Sequence, residues 1–285
     1  MMNSDDQLLS AARPNTELPV TAPMPVLFLG HGSPMNAISD TVFSKTWHKI
    51  GENLQPRPVA ILCISAHWLT QGFSAVTAAA HPATIHDFGG FPQALFDVQY
   101  PAQGSQALVN AVKHCVSMVS IAEDAERGID HGAWSVLVHL YPQADIPVVQ
   151  LSIDYSQPAA FHYQFGHQLR ALRRLGVLII ASGNLVHNLM KVAWDKLNEP
   201  VFGYEWALEA DAKMKNWLLE KRHQQLIEWD RQGEAFKLSI PTPDHYYPML
   251  YALGLQEDPD ELSLFNEAAV GGSLSMTSFR LDYRI

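Results

Sequence analysis

Four short apolar runs constrain this chain more than any other feature: VLFLG (26–30), VAILCISA (59–66), PVVQLSI (147–153) and VLIIASGN (177–184). Each is too short for an ordinary buried helix and too continuously apolar for a strand with one wet face. Each therefore predicts a strand covered on both sides. Between the last two, Phe161, Phe165, Leu169 and Leu172 recur at helical spacing, with Pro158 near the start and Gly176 as the stop. A second stripe, Leu108, Val112, Cys115, Val116 and Val119, follows Gly104-Ser105, and a longer helix is expected within 205–231. Strands alternating with helices predict an α/β fold, a single domain whose largely parallel central sheet carries helices on both faces. The C-terminal SLSMTSFRLDYRI alternates like an added strand with one exposed side, its phase slipping between Met276 and Phe279 as at a bulge.

At 285 residues and 47% hydrophobic, the chain is expected to hold one core over residues 24–285, after a mobile polar extension over 1–23. Net charge is -10, from 19 Lys+Arg against 29 Asp+Glu, with no basic run, which argues against a nucleic-acid partner. No apolar run approaches the ~20 residues of a membrane span, and MMNSDD is not a basic leader, so a soluble cytoplasmic protein is expected. Cys63 and Cys115 lack ligand-like spacing and allow at most one disulfide, in keeping with a reducing compartment.

Open α/β sheets bind ligands beyond the carboxyl ends of their strands, and three of the 13 histidines fall there. His31 directly follows VLFLG, His67 directly follows VAILCISA, and His187 comes three residues after VLIIASGN. His245, in TPDHYYPMLYALG, stands where a proline-rich segment enters an apolar helical pattern, with Thr242 or a nearby residue as a candidate cap. His131, in GIDHGAWSVL, is expected to support the site or contact substrate. One such histidine alone is more often a turn or core residue, and five together weaken that reading.

His48, His114, His139, His162, His167 and His223 read as surface or packing residues. His81 and His86 lie in HPATIHDFGGFPQAL, either a loop covering the site or an ordinary connection. Imidazole nitrogen suits zinc and iron, so such a cluster on rigid strand ends predicts a divalent metal site. The glycines flanking His31 are expected to leave room for a metal and, given the resemblance described below, for an aromatic ring, and Trp47, Trp68, Trp134 and Phe91 to line an aromatic pocket. GxSxG, GxxxxGK[ST], GxGxxG and HExxH patterns are absent, which removes support from nucleophilic and nucleotide-dependent schemes.

The ordered set LFLGHGSPM, ISAHW, TIHDFGGFPQAL, DHGAW, ASGNLVHNL and TPDHYYPMLYALG resembles the DOPA-dioxygenase branch of the class III extradiol ring-cleaving dioxygenases, from about residue 25 onward. The resemblance implies metal ligands at His31 and His67, completed by His245. It places His187 at the metal as a ligand or as the acid/base, and turns His131 toward substrate. It further implies one divalent ion, Fe(2+) or Zn(2+), a catechol substrate such as DOPA cleaved at its 4,5-bond, and O2. Protocatechuate-type members of the class use two histidines and a glutamate. His245 in place of that carboxylate is expected to leave the site one charge unit more positive. A zinc-dependent hydrolase and a non-enzymatic Memo-like binding protein are the competing readings.

Overall fold

The computed structural model describes residues 17–197 and 202–284. Its strands are β1 (Val26–Gly30), β2 (Ala60–Thr70), β3 (Ser74–Thr77), β4 (Ile121–Asp124), β5 (Val148–Asp154), β6 (Val177–Gly183), β7 (Asp260–Phe265), β8 (Ala269–Val270), β9 (Leu274–Ser275) and β10 (Ser278–Tyr283). Eight form one sheet in the order β4-β3-β5-β2-β6-β1-β10-β7, and β8 pairs with β9 separately. The four predicted strands are its parallel centre, β5-β2-β6-β1. β10 and β7 add antiparallel strands on the β1 side.

The main helices are α1 (Val42–Asn53), α2 (Gln106–Cys115), α3 (His131–Leu140), α4 (Ala159–Gln168), α5 (Glu205–Leu219) and α6 (Tyr247–Gly254). Successive strand residues point to opposite faces, so a continuous apolar run feeds two cores. Val26, Phe28, Leu62, Ile64, Ile179 and Ala181 pack with α2, α4, α5 and α6. Leu27, Leu29, Ile61, Cys63, Leu178 and Ile180 pack with α1 and α3 on the other face. Cys63 and Cys115 are both free and belong to opposite layers. No helix among the described residues is long and apolar enough to cross a membrane.

Several expectations change in detail. The stripe over 158–176 splits into α4 and a 3-10 turn, Arg170–Leu175, closed by Gly176 at φ +70. The helix expected within 205–231 ends at Leu219 and is followed by a short one, His223–Ile227. The C-terminal phase slip marks a change of partner rather than a bulge: β9 pairs with β8, and β10 enters the main sheet between β1 and β7. β2 continues to Thr70, so His67 lies inside the strand. Pairing with β6 stops at Ser65, and register against β5 shifts between Ile64 and Leu69. Such a shift bends a strand and re-aims its side chains. Of the expected N-terminal extension, residues 1–16 lie outside the described residues. Residues 17–23 run without regular structure, with Leu18 against the core and the Thr21 N–H donating to the Arg174 carbonyl at 2.9 Å.

His162 of α4 bears out the packing reading. It is fully buried, stacked on Tyr247 at 4.0 Å between ring centroids, with Nδ1 3.1 Å from the Tyr251 hydroxyl and Nε2 3.3 Å from the Gln157 carbonyl. Burial lowers its pKa from 6.5 to about 4. Between those values the unfolded chain binds a proton that the native state refuses, so acidification destabilises the fold, while above pH 6.5 the effect vanishes. The full shift amounts to about 3 kcal/mol. Urea unfolding of His162→Gln is expected to show a flatter dependence on pH between 7 and 4 than the unsubstituted protein.

Candidate metal centre

Three imidazoles converge where β1 and β6 end and β2 parts from β6. Ligand-capable atoms of His31, His67 and His245 all lie within 4.8 Å of one another, and Nε2 of His31 is 3.1 Å from Nε2 of His67. With metal–nitrogen bonds of about 2.0–2.1 Å, neighbouring ligands stand about 2.9 Å apart at a right angle and about 3.3 Å apart in a tetrahedron. The separation of His31 and His67 falls between the two, so this pair fits one small divalent ion, with His245 close enough to complete the group.

The outer nitrogens are engaged. Nδ1 of His31 is 2.9 Å from Ser182 Oγ, and Nδ1 of His245 is 2.7 Å from Asp244 Oδ2. Both rings therefore offer Nε2 inward, the usual support of a metal-bound histidine. Burial, reinforced by the neighbouring imidazoles, holds His31 and His245 well below the ordinary histidine pKa. Burial and His131 bring His67 to about 4 against the pull of nearby aspartates. Neutral rings with free lone pairs are the ligand form.

The other two candidates flank this trio. His187 stacks on His245 at 3.5 Å between centroids and 7° between planes, and burial lowers its pKa to about 4. His131 lies 3.8 Å from His67, centroid to centroid, with Nδ1 2.8 Å and backbone N–H 3.0 Å from Asp87 Oδ1. Burial alone would raise the Asp87 pKa, but the hydrogen bonds and charge of His131 bring it to about 2.

Each segment has a local reason to hold its histidine. Asp130 caps α3 by accepting from the Ala133 N–H, and its carboxylate also takes bonds from Ser65, Arg127 and Gln150. This places His131 as the first helical residue. The Asn184 N–H donates to the His245 carbonyl at 2.9 Å, and a Cβ on Gly183 would meet that oxygen at 2.2 Å, so the β6 end needs glycine to seat His245. His245 precedes α6 in a turn. The helix starts at Tyr247, and its N-cap, Tyr246, makes no side-chain capping bond, so Thr242 is not the cap. His187 is held by its N–H donating to the Ser239 carbonyl at 2.9 Å.

Comparison with known proteins bears directly on this arrangement. Residues 25–270 match the family described as the catalytic LigB subunit of aromatic ring-opening dioxygenase. The chain belongs to this family. A 4,5-DOPA dioxygenase extradiol from Escherichia coli K12 is 46% identical over 263 residues, covering 90% of this chain and 94% of that protein. One from Beta vulgaris is 34% identical over 262 residues, covering 89% and 94%. The solved structure of an uncharacterized Escherichia coli K12 protein matches with a TM-score of 0.78 at 40% identity, covering 91% of this chain and all of that one. This LigB-family chain is therefore an extradiol ring-opening dioxygenase, and the family implies a metal cofactor. The hydrolase and binding-module readings fall away.

In this LigB-family dioxygenase the histidines were legible and their partners were not. Asp87 and Asp244 each adjoin a histidine in the sequence, and the habit of metal-site histidines to bond carboxylates was the available signal. Asp244 also amends the charge expectation, since it returns a negative charge one hydrogen bond behind His245. The glycines around His31 have a different purpose from the one expected. A Cβ on Gly30 would meet the Met276 backbone at 2.8 Å, and one on Gly32, at φ +62, would meet Met276 Sδ at 2.5 Å. They clear the C-terminal segment rather than a metal and an aromatic ring.

The segment 81–92 reaches the site. It pairs with Ile129, accepts a bond from Trp134 Nε1 at Ile85, and brings Asp87 and Phe88 to His131. His86 itself packs against Trp134 and Phe88, while His81 is exposed. The expected four-residue aromatic pocket is not assembled: Trp47 is core beside His139, and Trp68 lies under Arg127.

Gly132 tests the packing that aims His67. A Cβ there would stand 2.3 Å from Ser65 Oγ and 2.7 Å from His67 Cδ2. Gly132→Ala is expected to lower stability by about 1–3 kcal/mol and to weaken metal retention, read by urea unfolding and by metal content after dialysis against a chelator.

Proposed function

We propose that this chain opens the ring of a catechol such as DOPA with O2, at one Fe(2+) held by His31, His67 and His245, residues 24–285 forming the catalytic domain. The observation that carries this reading is the convergence of three imidazoles, two of them, His31 and His245, buried with their outer nitrogens already bonded elsewhere. Iron is favoured over zinc because ring opening with O2 needs a redox-active ion, which Zn(2+) is not. When bound, the ion serves to gather both catechol oxygens and O2 and to lower the catechol pKa.

The remaining roles fall to the protein. His187, unprotonated at neutral pH and lying against His245, takes the second phenolic proton at a ring nitrogen and later returns one, as a general base and acid. His131 donates Nδ1–H to Asp87, which leaves Nε2 to position the substrate. Phe88, edge-on to His131 at 5.4 Å and beside Phe91, supplies an aromatic wall for the ring. Arg127, Asp130 and Gln150 hold the α3 start rigid, so that His131 need not be reoriented during turnover. The two free cysteines accord with a reducing, cytoplasmic setting.

Anaerobic loading with Fe(2+), followed by L-DOPA and air, is expected to give oxygen uptake and a yellow ring-opened product, with the Zn(2+) form inactive. No uptake with DOPA or any simple catechol would overturn the reading. His67→Ala is expected to lose bound metal, whereas His187→Gln retains most of it and loses roughly 10²–10⁴-fold in kcat. Metal analysis beside steady-state kinetics separates the two roles, and normal metal binding by both variants would refute the assignment.

A further inference from the structure

Ser182 lies fully buried near the end of β6, with Oγ 2.5 Å from the Gly132 carbonyl oxygen and 2.9 Å from Nδ1 of His31. A serine hydroxyl has one proton to donate, and a carbonyl oxygen can only accept. The proton is therefore committed to Gly132, and the serine oxygen is left to accept from His31 Nδ1–H. A neutral imidazole carries one N–H, so the lone pair sits on Nε2, the nitrogen that faces Nε2 of His67 at 3.1 Å. His245 reaches the same state through a charged partner, Asp244. His31 reaches it through a neutral one, whose own orientation is set by the first turn of the helix that begins with His131.

We propose that Ser182 is a positioning residue that holds His31 in its Nδ1–H tautomer and ties this ligand to the His131 helix through Gly132. The role of His31 as a ligand rests on the function proposed above, whereas the tautomer stands on hydrogen-bond geometry. Ser182 is well placed for the task. Its neighbours in the sheet are Leu29 on β1 and Ser65 on β2, so its backbone is fixed in the middle of the parallel sheet rather than on a loop. Alanine at this position leaves His31 Nδ1 and the Gly132 carbonyl without this partner in a buried place. It also lets the imidazole proton move to Nε2, the nitrogen a metal needs unprotonated.

The test uses the full chain and Zn(2+) as the probe. In competition with a chromophoric chelator, Ser182→Ala is expected to bind Zn(2+) roughly 10- to 100-fold more weakly, and Ser182→Thr, which keeps the hydroxyl, to recover most of the affinity. Nitrogen-15 NMR of histidine-labelled, metal-free protein supplies a second readout, with the His31 signals identified by their loss in His31→Gln. The unsubstituted protein is expected to carry the proton on Nδ1, and Ser182→Ala to carry it on Nε2 or on both in exchange. An Nε2–H tautomer in the unsubstituted protein overturns the proposal, as does Ser182→Ala with unchanged affinity and tautomer. Should circular dichroism show that Ser182→Ala does not fold, the tautomer of the unsubstituted protein decides alone. Failure of the iron-loaded protein to open a catechol would remove the proposed function and leave these two results standing.

Discussion

The parallel pairing of β6 between β1 and β2 is the constraint on which the site depends. It sets Gly30 opposite Gly183 and Ser65 opposite Ser182, so β1 and β6 end at the level where β2 parts from β6. His31 then leaves the sheet beside Ser182, and His245 is drawn onto Gly183 by a backbone bond from Asn184. A slip of one residue along β6 would turn Ser182 to the opposite face and remove the hydrogen bond that orients His31. The two-layer core prevents that slip, because every residue of β6 is buried and its apolar side chains are committed to one layer or the other.

Charging His31, His67, His187 or His245 is unfavourable at this site, because burial and neighbouring imidazoles hold all four below the ordinary histidine pKa. Two carboxylates adjoin the imidazoles: Asp87 lies within ligand range of His67 and His131, and Asp244 of His187 and His245. A divalent ion bound by His31, His67 and His245 would have both close by, hydrogen-bonded to His131 and His245. The cluster is not sealed, since His67 and both carboxylates keep partial exposure, and Phe88 lies edge-on to His131 beside them.

Much of this was legible because its physics is local. The runs at 26–30, 59–66, 147–153 and 177–184 are apolar throughout, as strands buried on both faces must be, and the structure makes them the parallel centre. Less legible were features set by distant partners. His67 sits inside β2, since the strand continues after it leaves β6. The break near Met276 resembles a bulge in one dimension and is a change of partner in three. Gly30 and Gly32 look like clearance for a ligand, yet what they clear is Met276, far along the chain.

The amino-acid sequence by itself determined the α/β architecture, the chain positions of the five histidines and the placement of three of them, His31, His67 and His187, after predicted strands. Hydrophobic periodicity and strand-end placement are short-range properties, readable along the chain. Only the tertiary structure decided which imidazoles meet, that His187 stacks on His245 rather than joining the trio of His31, His67 and His245, and that Asp87, Asp244 and Ser182 orient the rings. Those outcomes depend on angstrom-scale approach between segments as far apart as residues 31, 182 and 245, and distances of that kind exist only once the sheet has formed.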